Sequence, residues 1–345
     1  MSVHSETLRP VLYRSIIRTL LSPATLILVG LHTATAQGAF DRVEVTAGCR
    51  ELHDSVMAQL QAGRLAEAES TISPALALGF DPDCVGVILT NIASVLAVSG
   101  QAEQAERFAE QAVRILEKSR TSEDRVLLPS LHILAATRIE RGQIARAREA
   151  YRRLRAVRIE KPEDTALVRD LAGSLFQLEG KWQEAEVEYL AALRAWDAAG
   201  RSEMADNASV LTALATLYVQ ERRLTAAAQT LDQVRLVLQR SKDAVLADHI
   251  KLLNVQASVL FLQNDFAKAE QVFRGAVGLA DREPQFSPAY QAILLTDFAR
   301  VLRKNHRNRE ARRIEARVAA LRRENPMGSV IDVTELAASK SARKR

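Results

Sequence analysis

Seven alanines, at positions 68, 105, 147, 185, 227, 269 and 311, are separated by 37, 42, 38, 42, 42 and 42 residues. A period of that length points to a repeated supersecondary unit, not to one compact core. Five residues before each alanine stands a turn residue: Gly63, Gly100, Gly142 and Gly180 in the first four copies, then Arg222, Asn264 and His306. Glycine takes the left-handed backbone conformation at little cost, so a helix ending there can reverse into an antiparallel partner. Asparagine does so next best, and arginine and histidine less readily.

The residues around the turn fit a helical hairpin. Seven positions before it, the first helix offers a small residue, Ala93, Ala135, Gly173, Ala215, Ala257 or Ala299, where the second-helix alanine comes closest. Larger groups, Leu96, Phe176, Tyr218, Leu260 and Leu302, stand four residues before the turn, and Tyr151, Tyr189, Leu231 and Phe273 four residues after the alanine. Those spacings place them on the buried face of each helix. Composition agrees: 48% of residues are hydrophobic but only 5% aromatic, with 14 Gly and 9 Pro, which favours close-packed helices over strands.

This order of small residue, large residue, glycine turn, alanine and aromatic resembles the tetratricopeptide repeat. The 42-residue spacing is similar to the kinesin light chain type of array. The resemblance implies an all-α fold, a right-handed α-solenoid of about seven antiparallel helix pairs over residues 49–324, since a single hairpin cannot bury its own apolar face. Three positions depart from the pattern: Val56 in a small slot, Arg138 in a large apolar slot and Glu315 in an aromatic slot. The first and last suit end units with one face in water, whereas Arg138 has no counterpart reason.

The resemblance also implies a concave groove lined by first helices. Ten residues before the turns it would place Thr90, His132, Asp170, Thr212, Asn254 and Thr296, with Asn91 beside the first. Six residues before them it would place Ser94, Ser174, Thr216, Ser258 and Arg300. A lining that is small, polar and largely uncharged would bond to the backbone of an extended protein or peptide without demanding one sequence. It lacks the repeated cations with which family members clamp a terminal carboxylate.

The N-terminus reads as an export signal over residues 1–36. Arg9, Arg14 and Arg18 precede a 13-residue apolar run from Thr19 to Leu31, and Ala34-Thr35-Ala36 offers a cleavage site. The run is shorter than the roughly 20 residues of a membrane-spanning helix. Residues 37–48 form a linker. The protein then reads as exported, periplasmic or extracellular, the alternative being a membrane-anchored or cytoplasmic chain with its N-terminus uncleaved. Its two cysteines, Cys49 and Cys84, stand near the starts of neighbouring first helices, and either a disulfide or two free thiols fits the sequence.

The net charge of +5 gathers at one end: from Arg300 onward there are 14 Lys and Arg against 5 Asp and Glu. This is a solvated end helix or a contact for acidic partners or lipid heads, and residues 325–345 read as a disordered basic tail. Aromatics interleaved with the cations, as nucleic acid would require, are missing. Histidines 53, 132, 249 and 306 are scattered without companion ligands at metal spacing, and no nucleophile elbow or phosphate-cradling glycine loop occurs. The expectation is a non-enzymatic interaction scaffold with no metal or cofactor. An export or envelope-assembly role is the first reading, and a cytoplasmic regulatory adaptor the second.

Overall fold

A computed structural model describes residues 47–77, 80–283 and 286–324, and the expected signal segment and basic tail lie outside these. Among the described residues there are fourteen α-helices and no strand. They pair as seven hairpins: α1 (Ala47–Gln61) with α2 (Leu65–Ala77), α3 (Pro82–Val98) with α4 (Ala102–Ser119), and α5 (Leu128–Glu140) with α6 (Ile144–Leu154). The next two are α7 (Pro162–Leu178) with α8 (Trp182–Ala198) and α9 (Ala205–Gln220) with α10 (Leu224–Arg240). Then follow α11 (Leu246–Leu262) with α12 (Phe266–Ala280), and α13 (Pro288–Lys304) with α14 (Asn308–Glu324).

Every hairpin turns on the residue expected. Gly63, Gly100, Gly142 and Gly180 have φ between 69° and 73°, and Arg222, Asn264 and His306 have φ of 64°, 66° and 61°. In each, the next residue donates its N–H to the carbonyl five residues earlier in the turn, as in Gln101 N to Leu96 O at 2.8 Å and Arg307 N to Leu302 O at 2.8 Å. This bond satisfies a carbonyl that the end of a helix would otherwise leave open. Prolines at the entrances of α3, α7 and α13 fix the starting backbone angle where no N–H is needed.

The seven frame alanines are all 0% exposed. At Gly173 the reason for a small partner is visible: a methyl there would lie 2.7 Å from the ring of the buried Tyr189. Val56, the departure in the first hairpin, is fully buried, and Glu315 in the last replaces an aromatic contact with two hydrogen bonds from Arg303, at 2.8 and 2.7 Å. Arg138 is the centre of a buried cluster. Its guanidinium donates to Glu106 at 3.0 Å and Glu110 at 3.1 Å on α4, and Arg141 also binds Glu106. It occupies an apolar slot because its partners come from the preceding hairpin.

Comparable ion pairs tie other neighbours. Glu69, Glu186 and Glu270, each directly after a frame alanine, accept from Arg107, Arg223 and Arg307 of the next hairpin at 2.5, 2.6 and 2.5 Å. Hairpins thus stack in one direction, each second helix lying against the following first helix. Successive first helices also touch, while successive second helices do so less, so the first helices form the inner layer of a curved solenoid. No described helix is long and apolar enough to cross a membrane.

The curvature brings distant hairpins together. A methyl on Gly100, at the second turn, would lie 2.3 Å from Ser287 Oγ and 2.9 Å from Ser287 Cα, at the entrance of α13. The charge of Lys251 on α11 likewise acts on Glu140 at the end of α5. The turn edge of hairpins two and three therefore faces the starting edge of hairpins six and seven, and the solenoid encloses its inner face.

Candidate functional site

The inner face carries the residues that sequence places in the groove, but in a different setting. Ten of the twelve are buried, including Thr90, Asn91, Ser94, His132, Asp170, Ser174, Thr212, Thr216, Asn254 and Ser258; Thr296 and Arg300 are half-buried. Several hydroxyls are already occupied. Thr90 donates to Gly86 O at 2.8 Å, Thr212 to Ala208 O at 2.8 Å, Thr216 to Thr212 O at 2.8 Å, Ser258 to Asn254 O at 2.9 Å and Thr296 to Ala292 O at 2.6 Å. A hydroxyl in mid-helix readily folds back onto the carbonyl four residues earlier, which the groove expectation left out. Ser174 turns to the second helix of its own hairpin, its Oγ 3.3 Å from the Tyr189 hydroxyl on α8.

Other side chains join one first helix to the next. Asn91 Nδ2 lies 3.0 Å from His53 Nε2 on α1, and Asn254 Nδ2 donates to the Tyr290 hydroxyl on α13 at 3.3 Å. Each amide spends its nitrogen and leaves its oxygen: Asn91 Oδ1 and Asn254 Oδ1 have no hydrogen-bond partner. His132 Nδ1, Asp170 Oδ1, Ser209 Oγ and Asp297 Oδ2 are likewise buried and unpaired. A buried polar atom without a partner costs about 1–3 kcal/mol. Such atoms recur at nearly the same register in hairpins two, three, four, six and seven, which gives the inner helices a row of buried acceptors and one imidazole.

The lining is also more acidic than expected. Asp170 is 5% exposed, and burial, reinforced by the nearby Asp206 carboxylate, pushes its pKa up to about 8. Asp297, with a hydrogen bond from Arg300 at 2.8 Å, is raised by burial to about 7 although that cation opposes the shift. Burial drives the His132 pKa down to about 4, so its imidazole is neutral at pH 7. Asp206 receives Arg201 at 2.9 Å, and Asp248 lies 3.6 Å from Lys251. Asp206 and Ser209 escaped notice in the sequence because they belong to the entrance of α9, outside the two registers considered. Asp297 lies one residue off the expected register, in the position that Asn91 takes in its own hairpin.

Cys49 and Cys84 are joined by a disulfide, with Cα atoms 5.8 Å apart, which links the first turn of α1 to that of α3. Among the described residues no group of three potential metal ligands comes together.

These features define an α-solenoid of stacked helical hairpins with a polar inner face. Residues 84–160 match the tetratricopeptide repeat family model. No curated protein matches the chain in sequence. Among solved structures, a tetratricopeptide repeat protein from Parabacteroides merdae has 16% identity and a TM-score of 0.54, over 84% of this chain and 97% of the other, which shows the shared fold. BtubC (BKLC) from P. vanneervenii is similar at 19% identity and a TM-score of 0.47, over 66% of this chain and 90% of the other. A kinesin light chain with nearly identical TPR-like repeats from Podosopora anserina is similar at 23% identity and 0.43, over 59% and 100%. Tetratricopeptide repeats generally mediate contacts between proteins.

Proposed function

We propose that the chain is an interaction scaffold that holds an extended polypeptide along its inner face, and that it works outside the cytoplasm. The observation that carries the binding reading is the set of buried acceptors without a protein partner on the first helices of hairpins two, four, six and seven, at Asn91, Asp170, Asn254 and Asp297. An extended peptide supplies main-chain N–H groups at regular intervals, which acceptors repeated along the inner face suit. Export, with a role in envelope assembly or secretion, is supported by the signal-like first 36 residues and by the Cys49–Cys84 bond, which suits an oxidising compartment.

Affinity capture from the native cell with the wild-type array and with the double variant Thr212→Arg, Asn254→Arg tests the binding reading. Two arginines placed on the inner line are expected to deplete the captured polypeptides while circular dichroism shows retained helix. An unchanged captured set contradicts it. Mass spectrometry of the native protein tests export separately: a chain beginning at Gln37 is expected, and one retaining Met1 contradicts it.

A further inference from the structure

We propose that the last described helix, α14, is a docking face for an acidic helix of a partner protein, separate from the inner face and built by Arg312, Ala316, Ala319 and Arg323. The earlier hairpins define this face by the bonds they make through it. One place after the frame alanine, Glu69, Glu186 and Glu270 accept from Arg107, Arg223 and Arg307 of the next hairpin, Glu106 accepts from Arg141, and Arg148 donates to Glu179 at 3.0 Å. Twelve places after it, Glu117 and Asp281 accept from Arg153 and Arg317 on the following second helices. In α14 these two places hold Arg312 and Arg323, and Ala316 and Ala319 stand between them on one stripe of the helix. All four residues are exposed, and among the described residues neither arginine has an acidic partner.

Charge selects the occupant. The two guanidiniums stand eleven residues apart, about 16 Å along the axis, and the alanines between them let a helix approach closely. A partner helix with carboxylates at the same separation supplies a charge-assisted hydrogen bond at each end. The array itself contains the pairing: Arg148 has the place of Arg312 in its own hairpin and is held by Glu179. A second copy stacked end to end would bring Arg64, the counterpart of Arg223 and Arg307, up to Arg312, and like charges repel. The chain's own last residues carry Lys340, Arg343, Lys344 and Arg345 against Asp332 and Glu335, so their net charge has the sign of the face. A lipid surface calls for large apolar side chains beside the cations, and alanine offers little to bury.

The test is fluorescence anisotropy on the full chain with two labelled, alanine-rich helical peptides of one composition. The first sets two glutamates eleven residues apart, on one side of the helix; the second sets them nine apart, on opposite sides. The first is expected to bind about fivefold tighter, the worth of one exposed ion pair. Arg312→Glu with Arg323→Glu should abolish that preference and create the same preference among peptides with lysine in place of glutamate. Arg114→Glu with Arg194→Glu, an equal change of net charge at exposed sites on α4 and α8, should change nothing. The inner-face variant Thr212→Arg, Asn254→Arg should also change nothing, so the result does not depend on the groove reading. Equal binding of the two peptides, or no binding, overturns the docking face. Tighter binding to phosphatidylserine vesicles with the same arginine dependence overturns the helix as occupant. An affinity raised about tenfold by Asp332→Asn with Glu335→Gln would give the face to the chain's own last residues instead.

Discussion

Three hairpin turns place a residue with a side chain in the left-handed region, and His306, at φ 61°, is the clearest because it is exposed and, unlike the exposed Asn264, is not a residue that adopts this conformation readily. A side chain there costs roughly 1–2 kcal/mol relative to glycine, so His306→Gly should raise stability by about 1 kcal/mol after glycine's extra chain entropy. A denaturant titration checks this, with a lowered midpoint as the contrary result. Asp170 gives a prediction in pH. Its folded pKa, about 8, lies above its unfolded value, so the unfolded chain releases this proton first and stability falls as pH rises towards 8. Asp297 acts in the same sense up to about 7, while His132, lowered to about 4, acts oppositely below its unfolded value near 6.5. Glu140, raised by burial to about 7, acts in the same sense as the two aspartates, so between pH 6.5 and 8 thermal unfolding should show stability declining by up to about 1.4 kcal/mol per unit for each group still protonated. Asp170→Asn should flatten that decline, and an unchanged slope would show that Asp170 is not the buried acid.

At the scale of the helical element, the hairpin was legible in sequence because its determinants are local: a left-handed turn, one alanine and a facing small residue, all within about a dozen positions. Arg138 was not legible, because its partners Glu106 and Glu110 stand on α4 of the preceding hairpin. Arg138→Leu restores the apolar pattern of the other repeats, yet it leaves Glu106 buried with less of its counter-charge. Removing one member of such a cluster costs about 3 kcal/mol or more. The denaturation midpoint should therefore drop, and should recover in part when Glu106→Gln is added. The Cys49–Cys84 bond acts between elements too, closing a loop of 35 residues in separation. Replacing both cysteines by serine should cost about 3 kcal/mol. In hydrogen exchange the loss should concentrate in α1 and α2, and a uniform loss across the array would contradict this account.

In the whole molecule, the repeat frame fixes which helices stack but not how far the stack turns. That rotation accumulates over many interfaces, and no single residue announces it. Hence Thr212 and Ser258 could be placed on the inner helices from sequence, whereas their burial and the acidity around Asp170 and Asp297 emerged only with curvature. The contact of Gly100 with Ser287, five hairpins apart, is the direct sign of that curvature. It also explains why the inner polar groups can be buried without belonging to a hydrophobic core. Spin labels at Gln101→Cys and Arg282→Cys, both exposed sites beside this contact, would measure it by pulsed electron resonance. A straight stack would separate them by about 40 Å, taking the four steps from hairpin two to hairpin six at about 10 Å of close helix packing each. The closed solenoid predicts a single distance well below half of that; a distribution centred near the straight-stack value would contradict it, and with it the enclosed inner face.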